Sequence, residues 1–323
     1  MNLGIIGYGY TGQQHARAIA TLERVSLKSI AEPDEQKRAL APVEAVSDYR
    51  LVVEDDSIQA VTVCLPHHLH EEVASAALLA GKHVLVEKPL AISVQAGKAL
   101  CDLAKATKRV LMVEMTHRFL PPLLHAKKLV ASGEIGEIMA IDEVLVEDVG
   151  LFGALPEWLL DRKQAGGGVG LTSGIHLLDH LSWISQQGLT LQSATFACGE
   201  ELGSIEDTAA FALKADNGAP VHVLLCWRKR GAGLDGHLTI VGTRRSLKVW
   251  PWGWIRIQSD TNTSEESFFP EQSTIAERAL VGMRGALQEF VDAIRQNRPP
   301  DPPPEESLAS QAMIEEAYQK WFR

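Results

Sequence analysis

Apolar and polar positions follow two rhythms along the chain. In the first third, short β-branched runs alternate with segments whose apolar positions recur at helical spacing. Leu3 to Ile6, Leu27 to Ile30, Ala60 to Leu65, His83 to Val86 and Val110 to Val113 read as buried strands. Gln13 to Leu22, Glu71 to Ala80 and Ser93 to Thr107 read as the helices between them. Such alternation predicts a doubly wound parallel sheet. After Pro121-Pro122 and a helical stretch from Leu123 to Ser132, period-two runs follow one another with few helices between. These are Ile138 to Val146, Leu191 to Ala197, Ala209 to Leu213, Val221 to Trp227, His237 to Val241 and Ser246 to Val249. They predict a large, open, mainly antiparallel sheet. Helical patterns over Glu277 to Arg295 and Glu305 to Trp321 close the chain, and the proline run between them reads as a stiff surface connector. The expected division is an α/β domain over residues 1–119 and a second α/β domain over 120–323.

Composition narrows the function classes. A chain of 323 residues has room for two cores. No apolar run approaches the ~20 residues of a spanning helix, and Met1-Asn2-Leu3-Gly4 lacks a basic start and apolar stretch, so a cytoplasmic protein is expected. With 31 basic against 41 acidic residues the formal charge is −10, which argues against nucleic-acid and membrane partners. The four cysteines, Cys64, Cys101, Cys198 and Cys226, are far apart and read as reduced core thiols.

Gly7-Tyr8-Gly9-Tyr10-Thr11-Gly12 has the G-x-G-x-x-G spacing between a strand and a helix. In that setting Gly7 makes the tight turn, Gly9 admits a pyrophosphate to the backbone, and Gly12 allows close helix packing. Glu32, twenty positions after Gly12 at the end of the next strand, is placed to accept hydrogen bonds from adenosine ribose hydroxyls. Its carboxylate would repel a 2′-phosphate, which favours NAD, while Lys37 and Arg38 nearby leave NADP possible.

Two further clusters carry chemistry. One is Leu65-Pro66-His67-His68-Leu69-His70 followed by Gly81-Lys82-His83-Val84-Leu85-Val86-Glu87-Lys88-Pro89-Leu90. The other is Gly166-Gly167-Gly168-Val169-Gly170-Leu171-Thr172-Ser173-Gly174-Ile175-His176-Leu177-Leu178-Asp179. With the glycine loop, Arg118-Phe119, Gly133-Glu134-Ile135-Gly136 and Phe290-Val291-Asp292-Ala293-Ile294, they make the chain resemble the glucose-fructose oxidoreductase and inositol dehydrogenase (Gfo/Idh/MocA) family along nearly its whole length. The resemblance implies a Rossmann domain, a substrate and oligomerisation domain, and a homodimer or homotetramer. It implies hydride transfer between nicotinamide and a secondary hydroxyl of a sugar, inositol or related polyol. Two rivals follow: an NAD-dependent glycosidase that uses transient oxidation, and a non-catalytic NAD-binding regulator.

Oxidising an alcohol needs a proton acceptor and a positive group at the developing alkoxide. Lys88, just past a strand at the carboxyl edge of the first sheet, suits proton exchange or alkoxide stabilisation, with Glu87 a structural or charge partner. Pro89 fits a fixed turn, which a cis bond would supply. His176 follows a flexible glycine run and shares a helix face with Asp179 and His180. The resemblance makes His176 the proton acceptor or relay, with Lys88 beside the same substrate oxygen, and places Pro66, His67, His70, Glu87 and Lys88 against the cofactor. The family commonly has an aspartate four residues before this histidine; Thr172 stands there, leaving Asp179 as an alternative partner. Arg118 fits either a substrate contact or a structural ion pair. Trp158, Asp161 and Arg162 fit either sugar stacking and hydroxyl binding or ordinary loop packing. The His67-His68-x-His70 group lacks zinc spacing, so no metal is expected. Trp250, Trp252 and Trp254 read as one face of a strand that Pro251 confines to an edge or bulge, serving core packing or a subunit interface.

Overall fold

The computed structural model describes residues 1–148, 155–199, 204–228 and 233–321. Two compact units are present: residues 1–115, 163–166 and 283–309 in the first, and 116–162, 167–282 and 310–323 in the second.

The first unit holds a six-stranded sheet in the order β3-β2-β1-β4-β5-β6, all pairs parallel. Its strands are β1 (Asn2–Ile6), β2 (Ser26–Ala31), β3 (Glu44–Val46), β4 (Ala60–Val63), β5 (His83–Val86) and β6 (Leu111–Val113). Leu3, Ile5, Val61, Val63, Val84, Leu85 and Met112 are fully buried, as expected of strands covered on both faces. The intervening helices are α1 (Tyr10–Ile19), α2 (Glu35–Arg38), α3 (Tyr49–Val53), α4 (His70–Leu79) and α5 (Val94–Thr107). Short, half-polar β3 carries too little apolar signal to be read from sequence. Five neighbouring strands end, in register, at Glu32, Gly7, Cys64, Glu87 and Glu114. The strand order reverses between β1 and β4, where sheets of this type bind ligands outside their carboxyl ends.

The second unit is built on an eight-stranded sheet, β14-β13-β12-β11-β7-β10-β9-β8, in which only β10 and β7 run parallel. The strands are β7 (Ile138–Asp148), β8 (Leu189–Ala197), β9 (Thr208–Ala215), β10 (Pro220–Arg228), β11 (Leu234–Gly242), β12 (Ser246–Trp250), β13 (Trp254–Gln258) and β14 (Thr263–Ser267). Val221, Val223, Leu225 and Trp227 of β10 are buried while Leu224 between them is exposed, so one sheet face is covered and the other open. Helices α6 (Pro121–Ala131), α7 (Glu157–Leu160), α8 (Arg162–Ala165), α9 (Val169–Thr172) and α10 (Gly174–Ser185) follow β6 and β7, and α11 (Ile275–Gln296) and α12 (Pro304–Trp321) end the chain.

Three expectations change. The tryptophan run is not one strand: Trp250 pairs with Trp254 across a hairpin, and residues 251–253 form its turn. Gly253 is required there, because a Cβ would lie 2.1 Å from the Trp250 ring. The proline connector is not merely a surface spacer, since Pro300, Pro302 and Pro304 are buried and Glu289 ties it down through Arg298 and the Asp301 N–H. Cys198 is exposed just past edge strand β8, whereas Cys101 is a buried thiol. Among the described residues, no helix is long and apolar enough to cross a membrane.

Candidate active site

The glycine loop follows β1. Gly7 has φ +92°, and a Cβ on it would lie 2.2 Å from the Cys64 carbonyl; on Gly12 it would lie 2.0 Å from the Gly7 carbonyl. The protein's own backbone therefore demands both glycines. Gly9 is different: nothing lies within 4 Å of its added Cβ. It caps α1 without a side-chain bond, and no acidic residue occupies the first turn. Intrahelical bonding starts only with Gln13 N–H to Gly9 O at 3.1 Å, so the donors before it are those an anion takes at a helix start. Glu32, 6% exposed, accepts from Tyr8 N–H at 2.8 Å and Asp34 N–H at 3.0 Å, one bond per oxygen. A carboxylate has further lone pairs for hydroxyl donors. Arg38 beside it is spent on the Glu32 and Pro33 carbonyls. An open cradle over Gly9, a helix start and a carboxylate on the next strand fit a dinucleotide.

At the ends of β5 and β6, Glu87 and Glu114 meet His15 of α1. The His15 Nε2 lies 2.5 Å from Glu114 and 3.2 Å from Glu87. Burial opposes a charged His15, but Cys64 and Glu114 around it raise its pKa well above the ordinary value. Burial pushes Glu114 up to about 7 against the pull of His15, with Glu87 adding repulsion. For Glu87 burial is outweighed by His15 and Lys88, which hold it below the usual range. At neutral pH the cluster thus holds a charged His15, an ionised Glu87 and a Glu114 that is about half protonated. Its ligand atoms lie within 4.8 Å of one another, a donor set that could also hold a cation.

Lys88 follows directly and is half-buried, and the Lys88–Pro89 peptide is cis. His70, first residue of α4 and fully buried, has Pro89 O at 2.7 Å and Leu65 O at 2.8 Å from its two ring nitrogens. Burial lowers its pKa, so the neutral ring donates to one carbonyl at a time. Its imidazole braces the Lys88–Pro89 loop from beneath, which the sequence reading did not foresee. His67 directs Nδ1 at Ala165 O (2.7 Å), and burial, with His70 and Lys88 nearby, puts its pKa well below the usual value. Pro66 caps the short turn that carries it.

In the second unit, Glu206 anchors the glycine run. It accepts from Gly168 N–H at 2.9 Å, Gly170 N–H at 3.0 Å and the Tyr318 hydroxyl. The run is a close-packed turn into α9, not a flexible segment: a Cβ on Gly168 would lie 2.0 Å from the Glu206 carbonyl. Thr172 is the last residue of α9, and His176 sits in the first turn of α10. His117 stacks on His176, with centroids 4.4 Å apart and planes at 16°. Asp179 lies one turn on, but both its oxygens are held by Arg118 at 2.7 Å, the two side chains being buried. That buried ion pair gives Arg118 a structural partner on α10. Trp158 lies half-buried in short α7; Arg162 begins α8, its guanidinium 4.7 Å over the Tyr318 ring.

Five groups escaped the sequence reading: His15, Glu114, His117, Glu143 and Glu206. None lies in a recognisable spacing, because each meets its partners across strands or helices distant in sequence. Only the position of Glu114 just after β6, like that of Glu87 after β5, gave a usable signal.

Residues 1–115 match the model of an oxidoreductase family with an NAD-binding Rossmann fold, and residues 123–248 match the GFO/IDH/MocA C-terminal domain. The chain is 30% identical over 260 residues to inositol 2-dehydrogenase 2 of Saccharopolyspora erythraea, covering 78% of this chain and 74% of that protein. It is 32% identical over 193 residues to levoglucosan dehydrogenase of Pseudarthrobacter phenanthrenivorans, a match spanning 55% of this chain and 50% of that one. A solved levoglucosan dehydrogenase in complex with NADH and levoglucosan shares the fold, with a TM-score of 0.84 and 22% identity over 99% of this chain and 98% of its own.

Proposed function

Because the chain belongs to the GFO/IDH/MocA family of NAD-binding oxidoreductases, we propose that it transfers hydride reversibly at a secondary hydroxyl of a sugar, inositol or related polyol. What carries the proposal is the retention of Lys88 and of His176 at the head of α10, since neither is needed merely to bind a nucleotide. When bound, the nicotinamide accepts the hydride. Residues 1–119 hold the dinucleotide: Gly7 to Gly12 cradle the pyrophosphate, Glu32 takes the ribose hydroxyls and favours NAD over NADP, and Pro66, His67 and Glu87, braced by His70, flank the nicotinamide end. Residues 120–323 hold the substrate. Trp158, Arg162 and Thr172 meet it, while Arg118 and Asp179, closed on each other, support α10 behind it.

In oxidation the substrate C–H bond breaks with its electron pair, and the hydroxyl proton must leave as the carbonyl forms. Lys88 Nζ stabilises the developing alkoxide, and His176 takes the proton. The reverse direction returns both. The protein works in the cytoplasm, where its cofactor pool lies, as a homodimer or homotetramer. The open sheet face supports assembly, because Leu224 is flanked in register by Val144 and Ala210, a small apolar row bare of charge.

Purified protein given NAD and a panel of sugars, inositols and sugar phosphates should produce NADH, read by its near-ultraviolet absorbance, with at least one of them. Tight NAD binding with no turnover on any would overturn the proposal in favour of a regulator. Product release without net NADH would instead identify a glycosidase.

A further inference from the structure

Behind His176 lies a line of buried polar groups that dinucleotide binding does not use. Glu143 of β7, 3% exposed, has its two oxygens 2.8 and 2.9 Å from His180 Nε2, and His180 is fully buried. A carboxylate only accepts, so Nε2 is the donor. The other ring nitrogen, His180 Nδ1, lies 3.3 Å from His117 Nδ1, and a single proton is shared between the two. His117 is closed from another side by the edge of Trp252, with centroids 5.2 Å apart and planes at 86°. The ring so fixed is the one stacked on His176.

We propose that Glu143, acting through His180 and His117, is the positioning group that orients His176 and balances its charge, the task a carboxylate at position 172 would otherwise perform. This deepens the assignment of His176 as proton acceptor and rests on that reading. Orientation follows from the chain of contacts, since each ring plane is set by the next and the last is set by a carboxylate. Charge follows from the acid at the end of the line. The array ends on the Glu143 carboxylate, so a proton arriving on His176 is offset by a counter-charge at the far end of the contacts. Other charged or titratable groups around the array are committed elsewhere or lie at its margin. Asp179 of α10 is closed on Arg118, Glu147 of β7 accepts from Ser173 and Trp227, and His237 of β11 lines the same small pocket as Glu143 and His117.

The test needs no substrate. Full-length protein isotopically labelled at histidine Cε1 is titrated by NMR, with His176→Gln identifying the His176 resonance among 11 histidines. Glu143→Gln keeps an acceptor for His180 but removes the charge, and should lower the His176 midpoint by about one pH unit. Glu143→Asp should restore it. A midpoint unmoved in folded Glu143→Gln overturns the proposal. Should that variant not fold, His117→Phe, which keeps the stacked ring and breaks the Nδ1 contact, is read in the same way: a lowered midpoint supports the proposal and an unmoved one overturns it. Failure to oxidise any polyol would leave this readout untouched, so the two proposals fail separately.

Discussion

At the scale of single residues, burial sets the proton inventory beside the dinucleotide loop. Glu114 keeps its proton in the fold up to about pH 7, against an ordinary value of 4.5. The folded state therefore binds more protons than the unfolded chain between those values. Its contribution to stability is fully present below about 4.5 and is lost as pH rises through about 7. His15, whose pKa is also raised, acts in the same direction over the window above its unfolded value. Glu87, held low, opposes this only at acid pH. Each unit of pKa difference corresponds to about 1.4 kcal/mol. Chemical denaturation of wild type from pH 5 to 8 should thus show a decline in unfolding free energy that Glu114→Gln flattens. Parallel curves for the two proteins would show that Glu114 does not hold the proton.

At the scale of elements, the β1–α1 turn separates what the fold requires from what the ligand requires. Gly12→Ala drives a methyl into the Gly7 carbonyl and should lower both thermal stability and NAD affinity. Gly9→Ala meets nothing in the protein, and its φ of −68° is open to any residue, so the melting temperature should stay near wild type. NAD affinity should fall about tenfold or more, because the methyl occupies the pyrophosphate approach. Calorimetry and cofactor titration of both variants check this, and a Gly9→Ala protein that binds NAD normally would remove Gly9 from the site. The turn was legible in sequence because its chemistry is local: three glycines, a strand before and a helix after. The same holds for β1, β5, α4 and α5, whose apolar periodicity survives into the fold with ends shifted by a residue or so. β14 was illegible for the opposite reason, since all five of its residues are exposed and carry no alternation. The tryptophan hairpin misled because Trp250, Trp252 and Trp254 keep period-two spacing through a turn, and only Pro251 and Gly253 marked the break. His117, His180 and Glu143 come from a short turn, a helix and a strand, so no local pattern could join them.

At the scale of the whole molecule, the open sheet face bears on assembly. A chain of 35.2 kDa with an apolar row on its open sheet should sediment as a dimer or tetramer at micromolar concentration. Leu224→Lys should shift that distribution toward monomer, whereas a monomeric wild type would rule the assembly out. Fold and cofactor class were legible at this scale because paired glycine and lysine motifs sit at fixed places in a strand-helix rhythm. The Arg118–Asp179 ion pair was not, because its two residues lie 61 positions apart in sequence. The most direct test of the account is the steady-state kinetics of Lys88→Met and His176→Ala on the best polyol found. Each should lose turnover by ~100- to 10,000-fold, with NAD affinity nearly intact and the double variant little worse than the worse single one. Turnover near wild type in both single variants would contradict the account.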